Sequence, residues 1–143
     1  MKQDSSEMNQ ELVDKLVVKY PYVFKKLKYI ECCGGWFELI DSMCSLIEDY
    51  ITKLPIELRD QVFAEQIKQK FGYLRIYFSK NISYIDGVID MAEISSKYTC
   101  EDCGSHGELR SKDWVQVLCD NCFIDEKKRL KESYEAFRAH KKV

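Results

Sequence analysis

The chain has little of several things that would have settled its class at once. Two prolines and six glycines in 143 residues exclude a collagenous or low-complexity polymer. Uninterrupted apolar stretches last only a few residues, so no segment reads as a membrane span. Residues 1–10 carry Lys2, Asp4 and Glu7 among polar neighbours and lack the apolar stretch of a secretory leader. Two histidines leave no His-rich metal centre. There is no phosphate-binding G-x-x-x-x-G-K loop and no G-x-S-x-G nucleophile turn. A zinc-supported His-Asn-His nuclease would need more than His106 near its finger. Adjacent acids such as Glu48-Asp49 do not face each other on a helix. The chemistry therefore leans away from an enzyme. Nor is there an excess of either charge. Lys and Arg number 22 against 24 Asp and Glu, with 13 and 15 in residues 1–99 and nine of each in 100–143. A protein that holds nucleic acid by bulk attraction is usually strongly basic.

What is present is 45% hydrophobic and 13% aromatic residues, enough for a single core or a core with a small appendage. Seven cysteines stand out. Cys100 and Cys103 form one C-x2-C pair, Cys119 and Cys122 a second, with fifteen residues between. Each pair puts two thiolates on one tight turn, and the spacer can form a hairpin that folds one pair onto the other. That spacing predicts one tetrahedral Zn²⁺ with four cysteine ligands. Gly104 follows the first pair, where such a knuckle favours a positive φ. An odd cysteine total and a cytoplasmic setting argue against disulfides. No βαβ pattern surrounds either pair, which argues against a thioredoxin-like redox motif. Four sulfurs close the metal shell, so the ion is expected to be structural, not catalytic. Cys32, Cys33 and Cys44 read as buried thiols.

Between the pairs, residues 108–110 and 114–118 read as strands around the turn Ser111-Lys112-Asp113. A helix then follows the second pair, with Leu130, Tyr134 and Phe137 on a stripe. Asp125 and Glu126 near its start and Lys141 and Lys142 at its end suit the macrodipole. A knuckle, a hairpin and a second pair at a helix start resembles the treble-clef class of zinc fingers. It is also similar to the four-cysteine finger of TraR/DksA-type regulators, although their coiled-coil arm and acidic tip are not evident. That resemblance implies the metal ligands and no activity.

Upstream, the period predicts an amphipathic helix over residues 7–19, capped by Ser6 and stopped by Pro21, with Leu12, Val13, Leu16 and Val17 on its stripe. A short strand is expected over 27–33 and a turn at Gly34-Gly35. A second helix is expected over 36–53, its far face acidic through Glu38, Asp41, Glu48 and Asp49, with Pro55 closing it. Residues 62–71 and 73–78 read as a hairpin around Gly72. Leu74, Ile76 and Phe78 would point inward, while Tyr73, Arg75, Tyr77, Lys68 and Lys70 would point outward. Ser83 is read as opening a third helix with Asp86 at capping-box spacing. The stripe of that helix is Ile82, Ile85, Ile89 and Ala92.

The expected fold is α+β: helices on a short antiparallel sheet over residues 1–97, then a zinc finger with a C-terminal helix over 98–143. The segment 34–40, the hairpin 66–77 and the paired cysteines together resemble a family of small phage and bacterial proteins, mostly of unassigned function. The resemblance covers about residues 28–125. It implies a shared α+β architecture, and it is compatible with a cytoplasmic regulator or inhibitor that binds a host protein. Three surfaces compete as the contact. The first is the hairpin face Lys68, Lys70, Tyr73, Arg75 and Tyr77, whose rings and cations could stack single-stranded bases. The second is the basic run Lys127, Lys128 and Arg129, and the third is the acidic helix face. A DNA- or RNA-binding regulator is the alternative reading.

Overall fold

The computed structural model describes residues 7–111 and 115–141. Ser6, Lys112, Asp113, Trp114 and Lys142, each given a role above, lie outside the described residues. The architecture is α+β, as the sequence predicts: five helices and two antiparallel two-stranded sheets among the described residues.

Helix α1 spans Gln10–Lys19 and begins later than its periodicity suggests. Asn9 is its cap, the side-chain oxygen accepting the Glu11 N–H at 2.8 Å. Val13 and Leu16 are buried, and the chain leaves the helix at Tyr20, just before Pro21. The strand expected over 27–33 is not formed. Glu31 alone makes a parallel bridge, to Lys68, giving its N–H to the Ile67 carbonyl and accepting from Gln69. The backbone then turns into a 3₁₀ helix over Gly34–Trp36, which runs straight into α2 (Phe37–Thr52). Trp36, Ile40, Met43, Cys44, Ile47 and Ile51 are buried in the core. Pro55 precedes a single-turn helix α3 (Ile56–Arg59).

The acidic face expected on α2 is partly used up inside the fold. Glu48 is buried, and its two carboxylate oxygens accept the N–H groups of Tyr22 and Val23 at 2.9 Å each. Asp41 accepts from Lys19 Nζ and Tyr20 OH, and Asp49 pairs with Lys53. Glu38 and Asp49 stay exposed, Asp49 in an i,i+4 surface pair. Buried donors need partners, and here carboxylates supply them to a loop that has no ladder of its own.

Strands β1 (Ala64–Lys70) and β2 (Tyr73–Phe78) form the expected hairpin, with a bulge between Ala64 and Gln66. The two-residue loop Phe71-Gly72 has φ of 52° and 90°, the positive pair of a type I′ turn whose twist matches the strands. Ile67, Leu74 and Ile76 face the core. Helix α4 (Ser83–Ser96) packs against both α2 and β2, burying Ile85, Ile89 and Ala92. Its cap position is Ile82, not Ser83, and no side chain caps it. Ser96 Oγ takes the Leu74 N–H at 3.0 Å, and Glu93 takes the Ile76 N–H at 3.1 Å, so α4 covers the free edge of the hairpin.

Gly87 sits in the α4 interior, where a Cβ would meet nothing within 4 Å. Gly87→Ala should therefore stabilise the protein by about 1 kcal/mol, read as a rise in the chemical-denaturation midpoint at constant slope.

Candidate metal centre

After α4 the chain enters the first cysteine pair. Gly104 N–H returns to the Cys100 carbonyl at 2.9 Å, and Cys100 N–H goes to the Ser105 carbonyl at 2.7 Å. This tight loop is possible because Gly104 adopts φ of 83°. Strands β3 (Glu108–Arg110) and β4 (Gln116–Leu118) pair in antiparallel register, Leu109 opposite Val117, and return the chain to Cys119. Helix α5 (Asp120–Lys141) starts before Cys122, earlier than its periodicity indicates, so the fourth sulfur lies in its first turn. The Cys122 N–H points at Cys119 Sγ, 3.4 Å away. That turn gives a thiolate a backbone donor, which disperses negative charge from the sulfur.

The four sulfurs of Cys100, Cys103, Cys119 and Cys122 all lie within 4.8 Å of one another. Cys103 and Cys119 approach to 3.6 Å. Cys100 is buried, Cys119 and Cys122 are half-buried, and Cys103 is exposed at the rim. The Cys103 thiol is pushed down to about 6, chiefly by hydrogen bonds from Ser105. Burial, and then the neighbouring sulfurs, push Cys122 up. Four thiolates this close repel one another unless a cation lies among them. Sulfurs at this mutual distance suit a tetrahedral ion with metal–sulfur bonds of about 2.3 Å. A four-cysteine set able to hold one metal ion is therefore in place. His106 is not part of it and stacks on Tyr98 instead.

The finger is seated on the body by a clamp that spacing alone does not reveal. Glu101, between the first two cysteines, is 2% exposed. Its carboxylate accepts the Cys33 N–H at 3.0 Å and Gln69 Nε2 at 3.3 Å, and its carbonyl accepts the Gly35 N–H at 2.6 Å. Burial raises its pKa, and these donors oppose the rise. Gln69 Nε2 also reaches the Val115 carbonyl, and Trp36 Nε1 donates to the Thr99 carbonyl at 2.8 Å. Gln116 Nε2 approaches Cys33 Sγ at 3.7 Å. An acid inside a C-x2-C knuckle reads as solvent-facing, so only its hydrogen bonds reveal the role. Cys32, Cys33 and Cys44 are buried, and burial pushes all three thiols up, away from nucleophilic reactivity.

The residues proposed as contacts fall in two places. Lys68 lies opposite Arg75, and Lys70 opposite Tyr73, so these four and Tyr77 share the hairpin face away from the core. Arg75 pairs with Glu93 at 3.3 Å, and Lys97 lies over the Tyr73 ring. Between this face and α4 runs a groove that Asp86, Asp90 and Glu93 also line. In α5, Lys127 lies over the Phe123 ring, and Arg129 pairs with Glu126. Lys128 is exposed. Among the described residues, no helix is long and apolar enough to cross a membrane. Set beside models of known families, curated proteins and solved structures, the chain matches none of them, so the four-cysteine cluster is the part of the family resemblances that has support.

Proposed function

We propose that the protein is a non-catalytic zinc-finger protein that binds another protein, a cytoplasmic regulator or inhibitor of the kind phages and mobile elements direct at host machinery. The metal in this reading is one Zn²⁺ on Cys100, Cys103, Cys119 and Cys122. A closed set of four soft sulfur ligands suits zinc and leaves no position for a reacting water. The phage setting rests on the resemblance of residues 28–125 alone.

One observation carries the choice of a protein partner. The hairpin face that gathers Lys68, Lys70, Tyr73, Arg75 and Tyr77 borders a groove whose opposite wall holds Asp86, Asp90 and Glu93. Interleaved signs beside exposed aromatics suit a mixed polar protein surface, where Tyr and Arg commonly dominate affinity. A phosphate backbone would meet those three carboxylates at close range. The nucleic-acid reading keeps one point in its favour, the rings of Tyr73 and Tyr77 beside cations on a strand face. Lys127, Lys128 and Arg129 would serve either partner as a peripheral basic patch.

The test is affinity capture from host lysate with the wild-type chain and with a Lys70→Ala/Arg75→Ala/Tyr77→Ala variant, alongside gel shifts across a salt series. A stoichiometric protein retained by the wild type, and bound at least about tenfold more weakly by the variant, is expected. Metal content and melting temperature should match between the two chains. A DNA or RNA shift that weakens steeply with salt and flattens in the variant would replace this reading with the alternative.

A further inference from the structure

Helix α5 has no buried residue along its 22 positions. Only its first turn belongs to the metal cluster. The 18 residues from 124 to 141 extend for about 27 Å at 1.5 Å per residue. This stretch is not polar all round. Leu130 is 51% exposed, Tyr134 61% and Phe137 59%. With Phe123 at the root, they fall at alternating spacings of seven, four and three residues. A lone solvated helix does not need that order, and a two-helix seam does.

In heptad terms Phe123, Leu130 and Phe137 occupy d, and Lys127, Tyr134 and Lys141 occupy a. We propose that α5 pairs with α5 of a second copy of this chain, in antiparallel orientation, through the seam Lys127, Leu130, Tyr134 and Phe137.

The seam is self-complementary about a two-fold axis, which points to a second copy as the occupant, and charge selects the direction. A parallel pair would stack Lys127 on Lys127 and Lys141 on Lys141 in the seam, placing like charges where water is excluded. The antiparallel register centred on residue 132 sets Leu130 against Tyr134 and Lys127 against Phe137, twice each by symmetry. Every seam ammonium then faces a ring instead of another ammonium. Such pairing is already made within the chain, where Lys127 Nζ lies 4.5 Å from the Phe123 centroid and Lys141 Nζ 5.2 Å from that of Phe137. On one flank Glu126 of each copy approaches His140 of the other. On the opposite flank Lys131 meets Lys131, the one unfavourable contact in the register. The seam is short and buries less than a standard interface, so the pair exchanges with monomer instead of being permanent. It does not depend on the partner proposed above.

Sedimentation velocity on the metal-loaded full chain tests this. A concentration-dependent monomer–dimer equilibrium is expected, and Leu130→Asp/Phe137→Asp should weaken it at least tenfold. Both side chains are exposed, so metal content and melting temperature should not change, and this separates lost pairing from lost fold. Lys131→Gln gives the direction. It relieves the flank of an antiparallel pair and should tighten it about twofold, whereas a parallel pair would lose its Glu126–Lys131 contacts and weaken. A monomer at every concentration up to about 1 mM, a dimer that survives the double substitution, or a weaker Lys131→Gln dimer would each overturn the proposal.

Discussion

Stripping the metal is expected to unfold the C-terminal segment. One equivalent of zinc should copurify with the protein, measured by elemental analysis. A strong chelator, or Cys122→Ser, should abolish most of the helical signal that α5 contributes. The reason is that the bonds seating the finger on the body come from residues 99–116, and none of them comes from α5. Strands β3 and β4 have three residues each, and α5 buries nothing. Most helical stability in a protein comes from packing an apolar face against the rest of the fold, and α5 has no such packing. Closing a four-sulfur shell contributes on the order of 10 kcal/mol in small zinc modules, more than the net stability of many domains. Because the thiols must ionise to bind, protons compete with the metal, and affinity should fall as pH falls. Restoring the helical signal by adding Zn²⁺ at neutral pH would complete the demonstration. A metal-free chain with an unchanged melting curve would refute it.

The metal set was legible because its signal is local: two short spacings and a spacer of the right length bring four sulfurs together whatever the rest of the chain does. The long helices were legible for a similar reason. The stripe Trp36, Leu39, Ile40, Met43, Ile47 and Tyr50 repeats at helical period, and the structure buries four of the six and half-buries Leu39 and Tyr50. What escaped the sequence involves residues distant along the chain. Glu48 carries the polar character of an exposed helix face, yet it serves the N–H groups of Tyr22 and Val23, about 25 positions away. Glu101 serves Cys33, 68 positions away. Residues 27–33 read as a strand because Leu27, Tyr29, Ile30, Cys32 and Cys33 are apolar or aromatic, but only one rung forms before the chain turns at Gly34. The stripe on α5 shows the converse. A helical period states that one face is apolar, not that the same chain covers it, and here Leu130, Tyr134 and Phe137 stand in solvent.

Gly35→Ala, which adds a single methyl group, should be strongly destabilising. Gly35 lies where the 3₁₀ helix meets the metal knuckle. A Cβ there would lie well inside 3.0 Å of the carbonyl oxygens of both Cys100 and Glu101. Those atoms are backbone, and they are not free to move. The Glu101 carbonyl is hydrogen-bonded to the Gly35 N–H, and the Cys100 carbonyl to Gly104. Relieving the overlap means lifting the knuckle off the body. That would break the Gly35–Glu101 bond and strain the bonds from Cys33 and Trp36 that seat the finger. Overpacking with no room to relax, combined with lost buried hydrogen bonds, amounts to about 3 kcal/mol or more. The neighbouring position supplies the control. At Gly34 the nearest atom to an added Cβ is Leu12 Cδ1 at 3.4 Å, the movable end of a side chain, so Gly34→Ala should cost less than about 1 kcal/mol. Denaturant unfolding of the two variants, with zinc affinity measured in parallel, tests the contrast. Gly35→Ala should also weaken zinc binding, because the ligand loop and the body then cannot both hold their geometry. Equal stability of the two variants would mean that the finger does not depend on close seating against the 3₁₀ turn.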